Sequence, residues 1–430
     1  MAGTVACNDS YTVQSFYALP KRLPDDPPGS IIKCMKVPRA ETLSVLGAQV
    51  YRVMYMTQTP APGSSDLLSR VSTGLIFVPT KKAPPQGRPV VAWNHGTLGL
   101  GRNCAPSRLG APLGGNSFVT VEPGKQYWVP PLTSIGTGFI NNMLDANWVV
   151  TATDYTGIGP LGTRQQMEPL GYLVGASEAY DTMNAVRAAR SLKGSDTTPD
   201  YAVYGQSQGG HAAVSVGNYA QAYAPDLSLK AIAASDPAIE LKALVENIYD
   251  QPIAWNLGPS AVLSWSQHYP DLDISKILTP SALKHYESRA TKCILFDVAT
   301  GFLHKEPFFT DAVLNDPAVA RVFEAQTPTP YTDTPLLVSQ ATIDGIIAPQ
   351  TVAKMQDKWC AAGANLRMNW VSIERSPNAL NGQLAHVTSA MTDATTSIAF
   401  INDHFTGSKK ADSMTTACSQ PPPPFPTALP

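Results

Sequence analysis

A chain of 430 residues, 43 % hydrophobic and only 15 % charged, can bury a large core, and its net charge of −2 leaves no basic footprint for nucleic acid or an anionic membrane surface. No apolar run reaches the roughly 18 residues that a membrane-spanning helix needs. No charged-then-apolar leader opens the sequence, so an export signal is expected to lie outside it.

Residues 1–45 carry Pro20, Pro24, Pro27 and Pro28, which predict an extended arm lying over the domain. Two apolar runs follow, Ala48 to Thr57 and Leu67 to Pro79, separated by the turn-forming Pro60-Ala61-Pro62-Gly63-Ser64-Ser65. They read as a hairpin at the edge of a sheet. Pro89 to Trp93 and Trp148 to Thr153 are continuous apolar runs of buried-strand type. A helix over about 173–192 comes next, then strands at 200–204, 229–234, 336–342 and 366–373. Buried strands alternating with helices predict an α/β fold, with a mostly parallel central sheet and helices on both faces. The core is assigned to 46–234 and 334–418.

The interval 235–333 breaks this alternation. Its helical segments are separated by Pro252, Pro270, Pro280 and Pro317, and it is too long for a loop. The expectation is a helical cap inserted over the strand ends. Trp255, Leu263, Trp265, Phe302, Phe308 and Phe309 are candidates to line an acyl pocket, although packing of cap on core accounts for any one of them equally well. Residues 419–430 are Pro-rich and read as an extended or mobile tail.

Tyr204-Gly205-Gln206-Ser207-Gln208-Gly209-Gly210 sits between a predicted strand and a predicted helix, the context a G-x-S-x-G nucleophile elbow requires. A serine displayed on a sharp turn needs strained backbone angles, and a side chain at Gly205 or Gly209 would collide across that turn. A competing pattern, Gly157-Ile158-Gly159-Pro160-Leu161-Gly162, matches G-x-G-x-x-G only formally. Pro160 prevents a helix from opening there, and Asp181 falls inside the following helix, so a tight loop is the better reading.

A serine nucleophile at neutral pH needs a base and an orienting carboxylate, in this fold in the order Ser, acid, His. Only His386 and His404 follow the last acid-bearing strand. His404 lies in an apolar-periodic helix, whereas His386 lies in the loop-like Gln383-Leu384-Ala385-His386, so His386 is the expected base. Asp344, where the strand at 336–342 runs out into Gly345, is the expected acid; Asp333 precedes that strand and Asp357 is helical. His211, on the helix after the elbow, reads as structural. The oxyanion hole is assigned to the N–H groups of Gln208 and Thr97, the latter from His95-Gly96-Thr97 after the Pro89 strand, with His95 shaping that loop. Because the base must be neutral, activity is expected to fall on acidification through roughly pH 6 to 7.

The six cysteines are scattered, with no C-x-x-C pair and no histidine spacing for zinc, which points to disulfides and an oxidising, extracellular compartment while leaving their pairing open. Trp93-Asn94-His95-Gly96-Thr97, Cys104-Ala105-Pro106-Ser107, Asp154-Tyr155-Thr156-Gly157-Ile158-Gly159 and Gly205-Gln206-Ser207-Gln208-Gly209-Gly210, in this order, resemble the secretory lipase family, α/β-hydrolases of the Candida antarctica lipase A type. The His-Gly-Thr loop is nearer to bacterial members. The resemblance covers roughly residues 25–410. It implies an α/β-hydrolase fold with a cap before the acid, a secreted carboxylester hydrolase, a triad of Ser207, Asp344 and His386, and a disulfide from Cys104 to Cys293. Cys7 with Cys34, and Cys360 with Cys418, are then the simplest remaining pairs.

The function expected is hydrolysis of carboxylic esters through an acyl-enzyme, with an ester or lipid substrate, contact with a lipid interface, and no metal, cofactor or nucleic acid. Acyl transfer and amide hydrolysis use the same groups, and a non-enzymatic hydrolase-fold binding protein is the remaining alternative.

Overall fold

The computed structural model describes residues 4–38, 45–108, 118–122, 125–128, 132–294, 301, 303–373, 379–408 and 417–425. Eleven strands are seen among them: β1 Ile31–Lys36, β2 Ala48–Pro60, β3 Leu67–Pro79, β4 Arg88–Asn94, β5 Phe118–Glu122, β6 Lys125–Trp128, β7 Val149–Thr153, β8 Thr197–Gln206, β9 Ser228–Ser235, β10 Leu336–Ala341 and β11 Leu366–Val371. Nine form one sheet in the order β1-β2-β3-β7-β4-β8-β9-β10-β11, while β5 and β6 form a separate ribbon. From β7 to β11 every pairing is parallel; β1, β2 and β3 add antiparallel strands beyond β7.

Period-two alternation explains why the central strands are apolar throughout. Val90, Val203 and Val338 point into one core, whereas Val91, Ala202, Tyr204 and Leu337 point into the other. On the first face lie helices Gly175–Ser191 and Gln208–Tyr223, which pack on each other and on the sheet; on the second, helix Ala379–Thr406 packs against β9 and β10.

Several expectations need correction. The hairpin β2–β3 is not the edge of the sheet, because β1 pairs along β2 with Cys34 opposite Val53. Prolines stop at Pro28 and resume at Pro38, so residues 31–36 keep the N–H groups that a strand needs, and the arm is not irregular throughout. His386 is not in a loop: it lies within helix Ala379–Thr406. Gly382, read as a loop signal, instead marks close contact between this helix and the turn after β10, since a Cβ on it would sit 2.8 Å from Gly345 Cα. Around Pro317 the chain forms two helices, Ala312–Asn315 and Pro317–Gln326, broken where Asp316 turns extended to cap the second. Near the C-terminus, Phe425 packs its ring against Trp370 of β11 at 5.1 Å and Gln356 donates to the Gln420 carbonyl, so the tail through residue 425 lies against the core.

The six cysteines pair as Cys7–Cys34, Cys104–Cys293 and Cys360–Cys418. Cys104–Cys293 joins the segment after β4 to the end of cap helix Pro280–Ala290. The same two segments are stitched by Leu100 N–H to the Ala290 carbonyl at 2.8 Å and Ile294 N–H to the Leu98 carbonyl at 2.9 Å.

Candidate active site

Four parallel strands deliver one group each at the same end of the sheet: the His95-Gly96-Thr97 loop after β4, Ser207 after β8, Asp236 after β9 and Asp344 just past β10. Ligand sites of open α/β sheets lie at this carboxyl edge.

Ser207 has φ +57° and ψ −118°, a strained conformation for a residue with a side chain, and it stands between β8 and helix Gln208–Tyr223. Sterics on either side enforce the turn. A Cβ on Gly205 would lie 1.9 Å from the Gly209 carbonyl oxygen, and one on Gly209 would lie 2.1 Å from that of Asn94. Ser207 N–H donates to the Ser235 carbonyl at 2.9 Å, which fixes the elbow to the neighbouring strand. Gln208 opens the helix, so its N–H has no partner within the helix.

Asp344 and His386 meet on the other side of this turn. His386 Nδ1 lies 2.7 Å from Asp344 Oδ2, and both residues are buried. The second oxygen, Asp344 Oδ1, accepts the N–H groups of Ile346 at 2.7 Å and Ile347 at 2.9 Å, which fixes the carboxylate in the turn. Burial alone pulls the His386 ring down in pKa, but the Asp344 charge and its hydrogen bond, with any charge on Asp236 added to them, outweigh it, so the imidazole titrates above its ordinary value. Its Nε2 faces the Gln206 side-chain amide at 3.2 Å, and the same amide donates to the His386 carbonyl at 3.2 Å. The residue directly before Ser207 therefore touches the ring. Hydrogen bonds of such sites are commonly long or misaligned before substrate binds.

On the β4 side, Thr97 Oγ1 is 2.8 Å from the Tyr172 hydroxyl. His95 is held away from base chemistry: Nδ1 is 2.6 Å from the Gly96 carbonyl, and burial lowers its pKa to about 4. His211 is fully buried between Glu178 and the Gln326 carbonyl, at 2.6 and 2.8 Å, beneath the elbow. Glu178 also accepts from the Gln208 side chain at 2.9 Å, so this buried pair anchors the residue after the serine.

An apolar cavity with about 570 Å³ of unfilled space, mouth included, opens onto Ser207, Gln208 and Thr97. Its far wall comes from the segment between β9 and β10. Leu241, Leu244, Val245 and Ile248 of helix Leu241–Ile248 recur at helical spacing and all face it, joined by Trp265 and Phe309. Of the other aromatic and aliphatic candidates in the cap, Trp255, Leu263 and Phe308 belong to the packed core, and Phe302 lies outside the described residues.

The profile of the secretory lipase family matches residues 131–413, about two thirds of the sequence, including Ser207, Asp344 and His386. The chain belongs to the secretory lipase family. A secreted triacylglycerol lipase of Malassezia globosa is 26 % identical over 208 residues, which is 45 % of this chain and 45 % of that protein; the chain thus matches less than half the length of this curated relative. Among solved structures, Candida antarctica lipase A in its closed state superposes with a TM-score of 0.67 at 19 % identity, over 96 % of this chain and 89 % of the other. A ligand-bound form of the rice cell wall degrading esterase LipA from Xanthomonas oryzae gives 0.67 at 17 % identity, over 88 % and 99 %. Both likenesses establish the α/β-hydrolase fold of this family member.

Three residues at the candidate site of this secretory lipase family member were not singled out from sequence. Gln206 carries no signal, being one variable position of G-x-S-x-G. Tyr172 comes from a loop between short elements. Asp236 did carry a signal, since Ser235-Asp236-Pro237 ends a predicted parallel strand beside the elbow strand as Asp344 follows the next one.

Proposed function

We propose that this secretory lipase family member is an extracellular serine carboxylester hydrolase in which Ser207 is the nucleophile, His386 the base and Asp344 the orienting acid. The observation that supports this reading is the strained Ser207 turn at the floor of an apolar cavity, one residue from a side chain that touches a His–Asp pair hydrogen-bonded at 2.7 Å.

As Ser207 Oγ bonds to the ester carbonyl carbon, its proton passes to His386 Nε2, for which the hydroxyl displaces the Gln206 amide. The carbonyl π electrons move onto oxygen, where the Gln208 and Thr97 N–H groups meet the charge. Collapse expels the alkoxy group, which leaves as the alcohol with the proton from His386. Water repeats the sequence on the acyl-enzyme, releasing the acid and restoring Ser207. Asp344 stays ionised and stabilises the imidazolium in between. The apolar wall suits the acyl chain of an ester or lipid, and the three disulfides suit an oxidising compartment.

The test is hydrolysis of p-nitrophenyl esters of increasing acyl length, with and without an oil–water interface. Wild type is expected to turn over these esters and Ser207→Ala to lose essentially all activity while remaining folded. Full activity in Ser207→Ala, or no ester turnover by wild type, refutes the reading.

A further inference from the structure

Asp236 is fully buried, directly follows β9 and holds a positive φ of 43°. Polar atoms of Asp236, Asp344 and His386 all lie within 4.8 Å of one another. Protein donors occupy these atoms, which disfavours a cation as their occupant. Asp344 takes two backbone N–H groups and the imidazole, and Asp236 Oδ1 takes Ala341 N–H at 2.8 Å.

The other oxygen, Asp236 Oδ2, contacts the Ser389 hydroxyl and lies 3.2 Å from Ser235 Oγ. Ser389 stands one helical turn beyond His386, and its Oγ lies 3.0 Å from the His386 carbonyl. A carbonyl can only accept, so the single Ser389 proton serves it when the carboxyl supplies the proton for the other contact. An ionised Asp236 would instead place two carboxylates around one imidazole in a buried site.

We propose that Asp236 is a positioning residue for the reaction at Ser207: it keeps its proton, donates it to Ser389, and so holds the His386 helix while leaving Asp344 the only anion that faces the ring. The inference rests on the hydrolase reading given above. Burial, and then the Asp344 charge, push the Asp236 carboxyl well above the usual carboxylate range, against the lowering influence of the His386 charge and of the Ala341 and Ser389 contacts. The titratable groups around it are Asp344 from the turn after β10, His386 from its helix and Tyr204 from β8, whose own phenol is raised by burial first and then by Asp393 and Asp236.

The test pairs infrared spectroscopy at neutral pH with pH–rate profiles of Asp236→Asn and Asp236→Ala. Asparagine reproduces the pattern of a protonated carboxyl, one acceptor and one donor. Wild type is expected to show a protonated-carboxyl C=O band that Asp236→Asn lacks. Asp236→Ala lowers kcat/KM about tenfold, and Asp236→Asn restores most of it with the acid limb of the profile unmoved. Three results overturn the proposal: no band lost in Asp236→Asn, an acid limb shifted to lower pH in that variant, as loss of a negative charge beside the imidazole would produce, or full activity in Asp236→Ala. Should Asp236→Ala fail to fold, the band and the Asp236→Asn profile still decide. The infrared band does not depend on turnover, so a protein without esterase activity would refute the hydrolase reading and leave the protonation of Asp236 separately readable.

Discussion

The imidazole of His386 is pulled in two directions, and in the proposed mechanism the direction that prevails sets the pH range of activity. Burial favours the neutral ring, while the Asp344 charge and hydrogen bond, and then any charge on Asp236, favour the cation and together win. A base must be neutral to take the serine proton, so activity is present above the folded pKa and lost as pH falls through it. The acid limb of kcat/KM is therefore expected to have its midpoint above 6.5, at the upper end of the range expected from sequence or beyond it; a midpoint at or below the ordinary histidine value would contradict the pairing. Asp181 offers a stability counterpart. Burial raises it to about 7 despite hydrogen bonds from Thr57 and Thr156. The unfolded chain releases that proton first, so the wild type loses stability as pH rises from about 4 to about 7. Asp181→Asn removes this dependence, and the difference between the two melting temperatures should change across that interval and level off above it. A constant difference would place the carboxyl in its ordinary range. Chain order narrowed the candidate base to His386 and His404, and strand context pointed to Asp344. The loop-against-helix contrast that favoured His386 does not hold, because both histidines lie in helix Ala379–Thr406; what separates them is the contact of His386 with Asp344. Gln206 and Asp236 escaped because their roles depend on which atoms face the imidazole, and sequence spacing does not report side-chain direction.

Elements built on tight sterics respond to single methyl groups. Gly205 and Gly209 admit no Cβ because carbonyl oxygens occupy that space, in each case closer than 2.2 Å. Gly205→Ala is expected to destabilise the fold by at least about 1–3 kcal/mol in urea denaturation, and to lower activity in whatever folded protein remains. A substitution without effect on either would mean that the turn relaxes freely. The link between the β4 loop and the cap behaves differently. Cys104–Cys293 closes a separation of 189 residues, and Cys104→Ser with Cys293→Ser should lower stability by about 2–4 kcal/mol, checked by thermal and urea unfolding. At this scale the strands were the most legible feature, since continuous apolar runs have few alternatives in a two-sided sheet. The helix holding His386 was not: Gly382 and the amide-rich residues around it mimic a loop, and only its contact with Gly345 shows what the glycine is for.

Across the whole molecule, sheet and cap divide the work. The sheet edge gathers Ser207, Asp344 and the Thr97 loop, while the cap supplies the apolar wall that faces them. Because Leu244 lines that wall from one turn of its helix, Leu244→Trp should shorten the cavity. Rates on long-chain p-nitrophenyl esters are then expected to fall about tenfold relative to short-chain ones, and an unchanged chain-length profile would mean that the acyl group lies elsewhere. Sequence composition marked 235–333 as a helical interval but not the shape it encloses, since pocket-lining and core-packing residues are equally apolar. The most direct measurement of the central claim is mass spectrometry of the protein after reaction with an organophosphonate ester. A single adduct on the peptide containing Ser207, greatly slowed in His386→Ala, is the predicted result; no adduct, or one that forms at full rate without His386, would contradict it.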